Sequence, residues 1–127
     1  MKKPLVYLLV MIGAWWYADR NYNREAILAR AHRSPAAAWA SPAVYWIALS
    51  YYARDDNQLS LKALNQLLED DPKGRYAPRA LLRLSEVDQE LRNNAGAREA
   101  LERFLSEFPD DPERATAEKR RNAIPPQ

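Results

Sequence analysis

Apolar residues recur along most of this chain at the spacing of one helical face. "SPAVYWIALSYYARDDN" starts at Ser41, an expected N-cap, with Pro42 at the first helical position, where its missing N–H costs little. In "QLSLKALNQLLEDDP", Leu61, Leu64 and Leu68 make one row and Ser60, Leu64 and Leu67 a second, and Pro72 and Gly74 end the run. "APRALLRLSEVDQELRNN" sets Ala80, Leu84, Val87 and Leu91 on one side. "AGAREALERFLSEFP" does the same with Ala97, Ala100, Leu101, Phe104, Leu105 and Phe108. Asp111, Pro112 and Glu113 form another start signal, for a short polar helix to about Arg121, followed by a tail expected to fray. The pattern predicts an all-α chain.

These segments repeat. A shift of 37 residues places Ala48 on Ser85, Asn57 on Asn94, Ser60 on Ala97 and Ala63 on Ala100. It also places Leu64 on Leu101, Leu68 on Leu105 and Pro72 on Pro109. Small residues fall on small residues, and a proline closes each unit, which reads as two helix–turn–helix hairpins. Shifted backward, Ala26 meets Ala63, Ile27 meets Leu64 and Pro35 meets Pro72. "NREAILARAHRSP" is then the second helix of a decayed earlier unit, whose first helix would be the opening apolar stretch.

The repeat resembles the tetratricopeptide (TPR) family. In the first unit the resemblance rests on Trp46-Ile47-Ala48, Tyr51-Tyr52-Ala53, Ser60, Leu64, Leu67 and Pro72. In the second it rests on Leu84-Ser85, Ala97, Leu101, Phe104 and Pro109. The lengthened period, with "AP" opening the second unit and "FP" closing it, is similar to periplasmic TPR proteins of the Tol–Pal-associated and outer-membrane-assembly type. Asp88 departs from the pattern where a large aromatic or apolar residue is usual, and Arg54-Asp55 departs where Gly is usual. The resemblance implies that the first helix of each unit lines a concave groove that docks other proteins. Tyr45, Leu49 and Tyr52 of the first unit would face that groove, with Arg79, Leu82, Glu86 and Gln89 of the second. Trp46 and Tyr51 are expected to pack inside the hairpin.

The N-terminal segment follows a different rule. Leu5 to Ala18, "LVYLLVMIGAWWYA", has no polar face, whereas a helix at the surface of a small soluble domain keeps one. Three readings stand. In the first, residues 1–19 are a membrane-spanning anchor contacting lipid through Leu5, Leu8, Leu9, Ile12, Trp15 and Trp16. Lys2 and Lys3 would snorkel at one end, and Trp15, Trp16, Tyr17 and Tyr22 would form an interfacial belt at the other. Fourteen residues rise only about 21 Å against a hydrocarbon core of about 30 Å, so such a span is short. In the second, the segment is a cleaved export signal; Ile12-Gly13-Ala14 is the best cleavage site and a poor one. In the third, it is the first buried helix of a soluble fold.

Charge sharpens the division. Residues 1–33 carry a net +4 and residues 34–127 a net −2, together the chain's +2. The pI near 9.0 therefore comes from the N-terminal part, which speaks against a nucleic-acid-binding face and for a segment oriented against anionic lipid. The absence of cysteine excludes disulfides, Cys-based zinc sites, thiol nucleophiles and a lipid-modified cysteine. The single His32 lies among arginines and reads as a solvated surface residue. Asp55-Asp56, Asp70-Asp71 and Asp110-Asp111 sit at helix boundaries, where Asp serves caps and turns. Gly13 has no partner glycine four residues away, so it is a weak signal for helix association. No phosphate-binding loop or catalytic grouping is present, and no cofactor, metal or small-molecule substrate is expected.

The expected organisation is an anchor at 1–19, a basic helix and linker at 20–40, hairpins with a capping helix at 41–122, and a flexible tail at 123–127. The expected function is a non-enzymatic scaffold or accessory subunit mediating protein–protein contact at a membrane complex. It would sit in a bacterial inner membrane with the hairpins in the periplasm. The alternatives are an exported periplasmic adaptor and a structural subunit of a respiratory or transport enzyme. About three repeats are normally needed for a stable stack, so a partner or the membrane surface is expected to cover its exposed end.

Overall fold

The computed structural model describes residues 3–21 and 23–125, apart from the side chains of 18–21. The expectations for Lys2, Tyr22 and the end of the tail at 126–127 lie outside them. Seven helices follow one another: α1 (Lys3–Asn21), α2 (Arg24–Arg33), α3 (Ala40–Ala53), α4 (Asn57–Asp70), α5 (Ala77–Glu90), α6 (Asn94–Glu107) and α7 (Arg114–Ala123). The described residues contain no β-strand. α3 pairs with α4 and α5 with α6, and α4 against α5 and α6 against α7 join the pairs into a stack. α2 covers one end through α3. Leu64, Leu67, Leu81, Val87, Leu101 and Phe104 are fully buried between the layers.

The 37-residue period is a backbone property. α3 and α5 start and end 37 residues apart, as do α4 and α6, and α7 starts 37 residues after α5. The linkers repeat bond for bond. Ala37 donates to Ser34, Gly74 to Asp71 and Asp111 to Phe108; Ala40 then donates to Ala37, Ala77 to Gly74 and Arg114 to Asp111. Ser34, Asp71 and Phe108, the three C-caps, share one backbone conformation, with φ of −135°, −144° and −129° and ψ near 60°. α2 and its linker thus share the spacing and linker bonds of α4 and α6.

The turns inside the hairpins also repeat. Asp55 and Arg92 both take positive φ, at 61° and 59°. Asp56 N–H donates to the Tyr51 carbonyl and Asp55 N–H to that of Tyr52, while Asn93 and Arg92 donate likewise to Asp88 and Gln89. This is a Schellman closure, which satisfies the last carbonyls of the helix and is usually made with Gly at the left-handed position. The turn is conserved without its usual residue.

Ser41 is not the N-cap of α3. The linker bonds carry the chain into helix one residue earlier, at Ala40, after Trp39. Ser41 Oγ instead donates to Asp71 Oδ2 at 2.7 Å, tying the start of α3 to the end of α4. Room for that carboxylate comes from Gly74, where a Cβ would fall 1.9 Å from Asp71 Oδ2. The tail also differs from expectation: Ile124 is buried, and its carbonyl accepts from Arg98 Nη2 at 2.9 Å.

The membrane-spanning expectation is corrected. Among the described residues no helix is long and apolar enough to cross a membrane. α1 has 19 residues, but Lys3 opens it and Asp19, Arg20 and Asn21 fill its last turn. The apolar run inside it, Leu5 to Ala18, has fourteen residues, which falls short of the hydrocarbon thickness. α1 belongs to none of the extensively packed helix pairs. Its large side chains from Leu5 to Tyr17 are between 53% and 76% exposed.

Candidate protein-binding face

The first helices of the units, α3, α5 and α7, are linked by side chains along one face. Tyr45, whose second-unit equivalent is Leu82, is only 6% exposed. Its ring lies 5.3 Å from that of Tyr76, tilted by 45°. Arg79 places its guanidinium 5.5 Å above Tyr76. Trp46 approaches Tyr45 edge-on at 5.7 Å and is itself 59% exposed. Both aromatics thus differ from expectation. Adjacent helical positions point about 100° apart, and the ring of Tyr76 draws Tyr45 inward, so Trp46 is turned out. Tyr51 is buried, as expected, with Arg24 5.7 Å above its ring.

Glu86 is the electrostatic centre of the face. Its Oε2 accepts from Arg83 Nη1 and its Oε1 from Arg120 Nη1, each at 2.9 Å. One carboxylate thereby ties α7 to α5. Burial works against the charge of Arg83, but its hydrogen bond to Tyr45 and its proximity to Glu86 outweigh that and hold the guanidinium above its ordinary value. Tyr52 is half-buried. Burial first, and then the carboxylates of Glu86 and Glu90, raise its phenol above the usual tyrosine value.

Of the seven residues expected at the groove, Tyr45, Leu49 and Tyr52 lie on α3, and Arg79, Leu82, Glu86 and Gln89 on α5. Leu49 and Leu82 are half-buried, and Gln89 is exposed toward the end of α5. Tyr45 supports the face from beneath. A hollow of about 320 Å³ opens at the start of α5, lined by Arg75, Pro78, Arg79, Leu82 and the Asp111–Glu113 linker. Sequence reasoning missed Tyr76, Arg83 and Arg120. Their signal was available, since Trp46, Arg83 and Arg120 stand 37 residues apart.

A larger hollow, about 660 Å³, lies elsewhere, beside α4, lined by His32, Gln58, Lys62, Gln66 and Glu69 among others. His32 is exposed but has a partner: its Nδ1 lies 2.9 Å from both oxygens of Asp70. Gln66 Nε2 donates to the Leu28 carbonyl at 2.8 Å. These contacts fasten α2 to α4. Of the paired aspartates, Asp111 Oδ1 accepts from Glu113 N–H at 2.9 Å. Among the described residues no group of three or more His, Asp or Glu side chains is placed to hold a metal ion.

Asp88, flagged in the sequence as out of pattern, is buried where the first unit has Tyr51. Burial raises its carboxyl above the usual carboxylate range, and a hydrogen bond from Asn93 partly offsets this. Gly96 gives the pair space; a Cβ there would meet Asn93 Nδ2 at 2.5 Å and Asp88 Oδ2 at 2.9 Å.

With this geometry in place, comparison with known proteins adds one finding. A family model described as Tetratricopeptide repeat matches residues 42–74 and 79–111. No curated protein matches the chain.

Proposed function

Because the chain belongs to the tetratricopeptide repeat family, we propose that it is a non-enzymatic adaptor that docks a segment of another protein across α3, α5 and α7. Family membership carries the interaction role. The single observation behind the choice of face is the alignment of Leu49, Tyr52 and Leu82 beside the Arg83–Glu86–Arg120 network. Half-exposed apolar and aromatic side chains next to fixed charges suit a desolvated contact. The network holds the first helices in register before a partner arrives, so less ordering is lost on binding. The apolar α1 holds the adaptor at a lipid bilayer without crossing it, which is supported by its exposure on all sides. The periplasmic setting belongs to the same proposal and rests on the resemblance in repeat length.

A photo-crosslinking side chain at position 52 or 89 should capture the same protein, and one at Lys62, on the outer face of α4, should not. Leu82→Glu should weaken that capture at least tenfold. Equal capture from position 62, or full capture by the Leu82→Glu variant, would overturn the choice of face. Flotation of the full chain with lipid vesicles, lost in Leu5→Glu/Leu9→Glu, checks the tether separately.

A further inference from the structure

The second unit buries a carboxylate that the chain leaves without a counter-ion. Asp88 is 5% exposed. It lines a hollow of about 270 Å³ over α5, between α4 and α6, together with Leu61, Gly96, Glu99, Ala100 and Arg103 among others. Burial holds its carboxyl above the ordinary range; the bond from Asn93 offsets part of this, and the charge of Glu99 adds to it. Among the described residues no cation pairs with Asp88 or Glu99. Arg103 is engaged elsewhere, its Nε donating to Glu107 Oε2 at 2.6 Å. A buried charge with no opposite charge beside it costs stability, and a cation placed on it relieves that cost.

The repeat shows how the hollow came to be anionic. The first unit has an equivalent one of about 240 Å³ between α2 and α4, lined by Tyr51, Leu59 and Lys62 among others. Arg24 lies 5.7 Å above the Tyr51 ring. One period later, the positions of Tyr51, Leu59, Lys62 and Arg24 hold Asp88, Gly96, Glu99 and Leu61. An aromatic floor with two cations has become a carboxylate floor with a second carboxylate and neither cation. Gly96 belongs to the same change. A Cβ there would lie 2.9 Å from Asp88 Oδ2 and 2.5 Å from Asn93 Nδ2, so the leucine of the first unit would not fit beside this carboxylate. Where the first unit supplies cations from the chain, the second is built to receive one.

We propose that the hollow over α5 binds an alkylammonium group, with the ammonium on the Asp88 carboxylate and the methylenes along Leu61 and Ala100. Amphipathic cations divide in this way, the stem on apolar surface and the charge on charge. The bond from Asn93 occupies part of the carboxylate, which suits the point charge of an ammonium better than the bidentate fork of a guanidinium. Glu99, exposed at the rim, attracts the same charge. A lysine side chain of a partner and a free amine share this chemistry. Asp88 and Glu86 are two residues apart on α5, about 200° around the helix, so the site faces away from the α3–α5–α7 face. The inference goes beyond the adaptor reading and stands without it.

The test follows amide resonances of the full-length, isotope-labelled chain in neutral maltoside micelles. The chain is titrated with n-butylammonium chloride and, as a neutral match, with n-butanol. The Gly96 amide and the Asn93 side-chain amide should shift and saturate with n-butylammonium and stay still with n-butanol. Asp88→Asn keeps an acceptor for Asn93 and should weaken the response by about tenfold, as expected for loss of a charged contact. Asp88→Tyr/Gly96→Leu/Glu99→Lys rebuilds the first unit's lining; it should keep the parent's helicity and show no response. Equal shifts from n-butanol, or an undiminished response in Asp88→Asn, overturn the site. Equal saturation by magnesium chloride overturns the ligand class. Nα-acetyl-lysine methylamide and cadaverine then separate the sources. Tighter binding of the first supports a partner's lysine, tighter binding of the second supports a free amine, and binding of neither overturns the proposal. Capture from position 52 is unaffected by any of these results.

Discussion

Asp88 shows how one residue can be held at a cost because its neighbours are built around it. It is buried, it accepts from Asn93, and Gly96 makes room for both. Its carboxyl titrates higher in the folded chain than the 3.8 of a free aspartate. The unfolded chain therefore gives up this proton more readily, and rising pH favours unfolding across that window. The contribution of Asp88 is fully present below pH 3.8 and is lost as the pH rises through the folded value. Asp88→Asn keeps an acceptor for Asn93 and removes the charge. Its urea midpoint should exceed that of the parent at pH 7, and the gap should close below pH 3.8. Glu107 acts in the opposite sense: Arg103, with Lys73 nearby, holds its carboxyl below the usual range. Its contribution is present above pH 4.5 and fades as the pH falls.

At the scale of elements, turns and linkers carry the repeat more faithfully than the side chains do. Two residues with Cβ atoms occupy the left-handed position that normally takes Gly, at a cost of about 1–3 kcal/mol each. Arg92→Gly should stabilise the chain by about 1 kcal/mol, and Asp55→Gly by less, since Asp tolerates this region better. Denaturant unfolding of the two variants checks the order. Gly74 is the converse case, a glycine with negative φ that is needed for space. Gly74→Ala should displace the Asp71 carboxylate, break its bond from Ser41 and destabilise by about 1–2 kcal/mol. In an Asp71→Ala background the same change should cost almost nothing, and the double-mutant cycle reads that coupling.

Across the whole molecule, stability depends on neighbours, as in any stack where each pair buries its apolar surface against the next. α7 is the terminal layer, held by Ala117 and Ile124 in the core and by the Arg120–Glu86 and Arg98–Ile124 bonds. Arg120→Ala removes a half-exposed ion pair, which is worth less than about 1 kcal/mol globally. The loss should fall locally. Amide exchange in α7 should speed up while α3 to α6 keep their protection, and equal acceleration throughout would show that α7 is not a separate layer. The opposite end is where α1 departs from the stack. Its side chains would need to match small, fully buried positions to act as an ordinary first helix, yet Met11 falls where Ala48 and Ser85 have no exposed surface. The segment with the repeat's spacing thus lacks the repeat's chemistry, which is why periodicity alone placed it ambiguously.

Helix positions and the 37-residue period were legible in the chain, because each depends on spacing and capping among near neighbours. Leu64, Leu101 and Phe104 could be assigned to the core on that basis alone. Tertiary structure decided which of Tyr45 and Trp46 turns inward, that Ser41 bonds Asp71, and that Glu86 joins Arg83 to Arg120. It also decided that α1 forms no extensive pair with the helices of the stack. Each of these outcomes turns on groups brought together from separate helices, or on where a helix stops. Local pattern cannot encode either, because the competing contacts exist only once the stack has formed.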